Sequence, residues 1–526
     1  MLKMRNHKQK LLLAIAVLLF PFMAIGQKTN YYIKDATAKD QQISDSQLPI
    51  MGTNIGVYYE ESWLMNFEVQ KRLHDLKPGI IRMPGGSWSN ELYWNGNRVR
   101  LEKESYIDKQ TWDSTIKAGG NPIAVGFDTS RYHNGLWDVD YKGYAPGFRI
   151  KNNEHELSDY HGFTDVLFLH KYIQSYGCET MVTVNMGTGT PKMAAEWVKW
   201  TKQRANYARQ PFDVKYWELG NELDGDWEVG HFLPDGSAMT AAEYIRRYKI
   251  FTKAMKAADP SIKVGGSVAS SMELVFIEEL IADTSCPIDF ISFHAYPSHD
   301  NDTDFVKMAN EAAKVNQAVR RIKDWISKYR PAQSNSIEIA LTEWNIKVKE
   351  DITTVDIRNA LWSAVMIGEM AKAGVDIAIQ WDLFSTTPTG GHGMFNPLDS
   401  TMTPRSQYWA SYMWSNYMQN HLIATDLNAP DYVWAYITQG KGGYAIMLIN
   451  GSPTERVSIC LDAEFMAKKQ QANKVTFSEK QYKINPKTLI PIRSEKPEEE
   501  RVMLKKGGCV ELAPQSITIF QIPQKI

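Results

Sequence analysis

Apolar and polar positions along the chain fall into short β-branched or aromatic runs separated by longer amphipathic stretches. Eight runs mark strands, at residues 51–57, 79–83, 179–185, 214–221, 263–268, 288–294, 337–343 and 376–381. Helical periodicity lies between them. Its clearest case sets Phe305, Met308, Ala312, Val315, Val319, Ile322 and Ile326 at steps of three and four, predicting one helix with one apolar face. Residues 194–204 combine strong helix formers with Trp197 and Trp200. Strand followed by helix, eight times over roughly 350 residues, predicts an α/β fold, a (β/α)8 TIM barrel. A doubly wound sheet would need a Gly-rich phosphate turn after the first strand, and Met51-Gly52-Thr53-Asn54-Ile55-Gly56 lacks that spacing.

Near residue 432 the helical period stops. Residues 433–437, 443–449 and 516–522 read as strands joined by turns, a C-terminal all-β sandwich. The division is then 27–425 for the barrel and 426–526 for the sandwich, with 28–48 free to add a strand to the latter. The charged stretch 493–501, containing Lys496-Pro497-Glu498-Glu499-Glu500, reads as a solvated loop.

At the start, Lys3, Arg5, Lys8 and Lys10 precede an apolar run over 11–25, broken only by Pro21, and Ala24-Ile25-Gly26 stands before Gln27. This is the pattern of a secretory signal, residues 1–26. It implies export to the periplasm or the medium, with no membrane insertion after cleavage and, lacking a following Cys, no lipid anchor. Loss of the four cations moves the formal charge from −1 to −5, so neither form offers a basic face for nucleic acid. Cys178, Cys286, Cys460 and Cys509 are too few and scattered for a disulfide framework or a zinc site. Cys460 and Cys509 share the C-terminal region and suit either a pair or two isolated thiols.

Two strings carry the chemistry: Trp217-Glu218-Leu219-Gly220-Asn221-Glu222 and Leu341-Thr342-Glu343-Trp344-Asn345. They end the fourth and seventh strands, where barrels keep their reactive groups. Two carboxylates brought together from separate strands are what glycosidic bond cleavage needs, one to protonate the leaving oxygen and one to attack the sugar. Glu343 is the expected nucleophile, kept ionised by Arg82 after the second strand and Tyr296 after the sixth. Glu222 is the expected acid/base, its pKa raised by burial and by the charge of Glu343. Asn221 is placed to hydrogen-bond the 2-hydroxyl.

Polar-flanked tryptophans stack on sugar rings. Trp88 and Trp94, set among Gly and Ser, read as cleft rather than core. His294 suits either a core histidine or a site residue, and Trp381 either core or a sugar platform. Glu218, Asp224 and Glu228 are rival carboxylates, Glu218 lying deeper in the barrel than Glu222. No cofactor or metal is expected: His294 with His299 and Asp300 is too isolated, and Asn301-Asp302-Thr303 reads as a solvated loop. A non-catalytic carbohydrate-binding barrel would normally have lost one of the two carboxylates.

At these residues the chain resembles the clan A retaining glycoside hydrolases, whose acid/base and nucleophile end strands four and seven of the barrel. Within the clan it is most similar to the family 51 α-L-arabinofuranosidases. Four pieces carry the likeness: residues 216–227 (Tyr216-Trp217-Glu218-Leu219-Gly220-Asn221-Glu222-Leu223-Asp224-Gly225-Asp226-Trp227), Thr342-Glu343-Trp344-Asn345, Arg82-Met83-Pro84-Gly85-Gly86 and Val184-Asn185-Met186-Gly187-Thr188-Gly189-Thr190. The resemblance implies an exo-acting retaining enzyme on polysaccharide or oligosaccharide, with a C-terminal β-sandwich. It departs at Ser87-Trp88, where the family reads closer to Pro-Gly-Gly-Asn. Residues 95–160, with Trp112, Tyr132, Trp137, Tyr141 and Tyr144, are expected to choose the sugar, by closing a pocket or walling a cleft. Endo-acting xylanase-, agarase- and heparanase-like enzymes share both glutamate motifs, so an endo-β-glycanase is the alternative; oligomeric state is left open.

Overall fold

The structure is a computed structural model of the chain. It describes residues 31–35, 46–90, 166–187, 189–203, 211–233, 237–297, 304–347, 352–385 and 391–524, with Leu92, Trp94 and four short strands between 106 and 151. The expected signal segment 1–26, most of the aromatic stretch 95–160, and His299 to Thr303 lie outside the described residues.

Eight parallel strands close into a barrel: β1 (Ile50–Asn54), β2 (Ile80–Met83), β3 (Glu179–Val184), β4 (Tyr216–Leu219), β5 (Lys263–Ala269), β6 (Phe290–Ala295), β7 (Glu338–Trp344) and β8 (Ile377–Gln380). Each lies on one of the eight apolar runs, and β8 pairs with β1 to complete the ring. Inside the lower barrel, Ile80, Met181, Tyr216, Phe290, Ala340, Ile377 and Ile379 form an apolar layer of their own. Two residues further along these strands, on the same face, the sequence turns polar: Arg82, Thr183, Glu218 and Ser292 are all buried. The barrel is therefore apolar at its base and charged at its mouth.

Two strands break the regular alternation. Pairing of β5 with β6 skips Val268, and pairing of β7 with β6 skips Thr342. Without the second irregularity Glu343 would point outward with Ile339 and Leu341; the bulge returns it to the barrel interior.

The single helix expected over 305–326 is two, Phe305–Ala312 and Val315–Tyr329. Tight bonds from Lys314 N to Glu311 O and from Asn316 N to Ala313 O replace the α-type ladder at the join. Asn316 Nδ2 also donates to Ala313 O and to Glu369, so the chain bends while both apolar stripes stay on the barrel. Trp94 is not a cleft residue. It donates to Met193 O at 2.8 Å and stacks on Trp197 of helix Pro191–Gln203.

Beyond the barrel lies a β-sandwich. A seven-stranded sheet runs Ser46–Gln47, His421–Ile423, Val433–Gly440, Gly443–Asn450, Ser516–Pro523, Gln470–Ser478 and Glu498–Leu504; a four-stranded sheet runs Thr425–Asn428, Tyr32–Asp35, Val457–Leu461 and Gly508–Leu512. Ile33, Ile446, Leu448, Ile459, Leu512 and Phe520 are among the residues filling the space between them. A disulfide joins Cys460 and Cys509 on neighbouring strands; Cys178 and Cys286 are free. Residues 493–501 are a loop only at 495–497. Pro491–Ser494 and Glu498–Leu504 are strands, the latter an edge strand whose exposed charges discourage further pairing. Tyr436 anchors the sandwich to the barrel helix Ile357–Ala373 through bonds to Val365 O and Glu369. Among the described residues, no helix is long and apolar enough to cross a membrane.

Candidate active site

Arg82 is fully buried at the end of β2 and binds four side chains. Its Nε donates to Glu218 at 2.6 Å, Nη1 to Asn54 and Glu343 at 2.9 Å each, and Nη2 to Asn221 at 2.8 Å. Burial alone would lower its pKa, but Glu218 and Glu343 outweigh that and raise it. Glu218 shows the converse. Burial pushes its carboxyl up, yet Arg82, with help from the Thr183 hydroxyl at 2.8 Å, holds it below the ordinary value. An ion pair thus lies permanently beneath the mouth of the barrel.

Above it stands Glu343. Arg82 donates to its Oε1, and the Tyr296 hydroxyl donates to Oε2 at 2.8 Å. Its pKa stands above the ordinary value: burial, joined by repulsion from Glu222, outweighs the opposing pull of His294, Arg82 and the Tyr296 hydroxyl. Tyr296 itself is held neutral, since burial and the charge of Glu343 push its phenol well up.

Glu222 is not on a strand. After β4 ends, Gly220 takes φ +77° and Glu222 itself φ +47°, a left-handed conformation that costs a non-glycine residue energy. The carbonyl of the bulged Val268 accepts its backbone N–H at 3.1 Å and helps to hold that geometry. Its Oε1 lies 2.6 Å from His294 Nδ1, and its Oε2 accepts from Trp227 Nε1 at 2.9 Å. Its pKa is raised to about 7, first by burial and then, against the pull of the Trp227 N–H, by repulsion from Asp224. Asp224 adds a repulsion the sequence reading did not single out, while the expected repulsion between Glu222 and Glu343 shows on Glu343, whose pKa it raises. Burial lowers the pKa of His294, so the ring is neutral near pH 7 and shares one proton with Glu222.

Glu222, His294 and Glu343 offer atoms within 4.8 Å of one another, enough to ask whether they hold an ion. Ligands on a tetrahedral zinc with bonds of about 2.0–2.2 Å sit roughly 3.4 Å apart. The 2.6 Å contact between His294 and Glu222 is instead a hydrogen bond, a geometry for moving protons. Carboxylate oxygens of Glu222 and Glu343 within 4.8 Å of each other fit the close pairs of retaining enzymes, about 5–5.5 Å, rather than the roughly 6.5–9.5 Å of inverting ones.

The other expected residues divide. Asn221 is buried between Arg82 and Glu228. Trp381 stays partly open beside the nucleophile candidate: a Cβ on Gly86 would lie 2.9 Å from its Cη2 and 3.6 Å from Glu343 Oε1. Trp88, only 3% exposed, is enclosed and tilts against Tyr58 rather than lining an open wall. Four residues escaped the sequence reading of the site. Trp227 stands inside a motif already noted, Asn54 is a polar residue ending an apolar strand, and Asn90 sits in the Ser-rich turn after β2. His392, against Tyr296 at 5.5 Å, gave no signal.

Comparisons with known proteins agree with this geometry. Residues 214–378 match the model for glycosyl hydrolases family 39, a span that includes both glutamates. The chain is 24% identical over 400 residues to alpha-L-arabinofuranosidase C of Emericella nidulans, covering 69% of this chain and 68% of that one. It is 29% identical over 282 residues to an intracellular exo-alpha-(1->5)-L-arabinofuranosidase of Acetivibrio thermocellus, spanning about half of each. Among solved structures, the alpha-L-arabinofuranosidase of Thermotoga maritima superposes with TM-score 0.66 at 18% identity over 94% of this chain and all of that one. A family 44 xyloglucanase of Paenibacillus polymyxa gives 0.63 at 12%, with the same coverage. At these identities the structural likeness is one of fold.

Proposed function

We propose that this clan A retaining glycoside hydrolase is an exo-acting α-L-arabinofuranosidase of the family 51 kind, releasing terminal arabinose from plant polysaccharides or their oligosaccharides. The observation that carries the reading is the unlike environment of two close carboxylates. Glu343 receives hydrogen bonds from a guanidinium and a phenol, which favour its ionised form. Glu222, raised to about 7, keeps a proton to give. In the first step Glu343 attacks the anomeric carbon while Glu222 protonates the departing oxygen. In the second, Glu222 takes a proton from water as that water displaces Glu343. Asn221 contacts the 2-hydroxyl, and Trp381 offers a ring face to the sugar. The arabinofuranosidase relatives favour the pentofuranose, whereas the family 39 match over 214–378 spans only strands β4 to β8, which carry the glutamate motifs. Export is part of the proposal, supported by the Cys460–Cys509 disulfide, a bond of oxidising compartments.

Product analysis of residues 27–526 against arabinan, arabinoxylan, xylan, β-glucans and agar tests the reading, with Glu343→Gln as control. Free arabinose as the sole early product is expected. Oligosaccharides cut from a backbone would replace it with the endo-acting alternative.

A further inference from the structure

Glu228 lies six residues past Glu222 and has no exposed surface. A carboxylate so buried is costly unless its oxygens are well supplied with donors. Among the described residues, side-chain donors reach it from two loops. Ser87 Oγ donates to Oε1 at 2.5 Å, Asn90 Nδ2 to Oε2 at 2.8 Å, and Asn221 Nδ2 to Oε1 at 3.3 Å. Asn90 also brackets the backbone of Asn221, donating to its carbonyl at 2.7 Å and accepting its N–H at 3.1 Å.

The consequence falls on the Asn221 side chain. Its carbonyl oxygen faces Arg82 at 2.8 Å and its amino group faces Glu228. A flipped amide would set oxygen against carboxylate and amino group against guanidinium, both repulsive. One amide proton is taken by Glu228, and the second is left for a ligand. The loop has little freedom to adjust: Gly230 sits at φ +93°, and a Cβ there would lie 2.4 Å from Gly187 Cα.

We infer that Glu228 is a positioning residue that fixes the Asn221 amide as a donor to the 2-hydroxyl of the sugar, making the enzyme selective for 2-hydroxylated glycosides. The inference rests on the glycosidase reading above. It adds the residue through which preference at that carbon is set.

The test compares kcat/KM on a matched pair, an aryl α-L-arabinofuranoside and its 2-deoxy analogue, for wild type, Glu228→Gln, Asn221→Ala and the double variant. Glu228→Gln keeps volume but puts a second amino group or a weaker acceptor among the donors. Loss of about 10- to 100-fold is expected on the 2-hydroxy substrate, with less than about threefold on the 2-deoxy one. In the Asn221→Ala background, Glu228→Gln should add no further loss. Equal losses on both substrates, or full additivity with Asn221→Ala, would overturn the inference and mark Glu228 as merely structural. Thermal melting checks folding, with Glu228→Asp as the second variant should Glu228→Gln not fold. A wild-type enzyme inactive on the 2-hydroxy substrate would instead overturn the arabinofuranoside reading.

Discussion

His294 Nδ1 lies 2.6 Å from Glu222 Oε1, so a neutral imidazole and a carboxyl of pKa about 7 share a proton at the mouth of the barrel. The acid form of Glu222 exists below that pKa and is lost as pH rises through it. On natural glycans, kcat/KM should therefore fall along an alkaline limb with midpoint near 7. On aryl substrates with good leaving groups the same limb should be shallow, since they need little protonation. A pH–rate series on both substrate types checks this.

Replacement of Glu222 by Ala separates substrates in the same way. On natural glycans kcat/KM should drop by about 10²- to 10⁴-fold, and on activated aryl glycosides by much less, since kcat/KM reports the first step alone. Steady-state kinetics on the two classes measure the split, and equal losses would remove Glu222 from the acid role.

Beneath the reacting groups, Arg82 and Glu218 form a fully buried pair. Removing one partner strands the other charge, so Glu218→Ala should cost about 3–5 kcal/mol of stability in denaturant unfolding. Because the folded pKa of Glu218 is depressed, the stability it supplies is present above its unfolded value and disappears as pH falls through the folded one. The penalty of the variant should shrink accordingly in acid.

At Gly86, an added Cβ would meet Trp381 Cη2 at 2.9 Å. Gly86→Ala should push that ring from its place beside Glu343, raising KM by several-fold while leaving far-UV circular dichroism unchanged. Kinetics on an arabinofuranoside and a fluorescence spectrum of the tryptophans would register the shift.

Much of this frame was legible in the sequence, because apolar runs and strand-end polar residues record local requirements. All eight strands stood out, and Arg82 and Tyr296 could be paired with Glu343 from strand order alone. What stayed hidden depends on contacts across the barrel. The bulge that skips Thr342 is invisible in a run that reads as a plain strand, yet it aims Glu343. The left-handed turn at Glu222 is braced by Val268, itself at a second bulge. Residues 493–501 looked solvated because charge dominates them, but an edge strand can carry charge on its open side. Glu228 was visible only as a spare carboxylate, since Ser87 and Asn90, two of its donors, come from the loop after β2.

The most direct test of the account is mass spectrometry of Glu222→Ala incubated with an activated aryl α-L-arabinofuranoside, with peptide mapping of any covalent sugar. Protonation is not needed to form the intermediate from such a substrate, but breakdown lacks its base, so the adduct should accumulate. The account predicts one arabinosyl group, on the peptide containing Glu343. A sugar attached elsewhere, or release of inverted arabinose with no adduct, would contradict it.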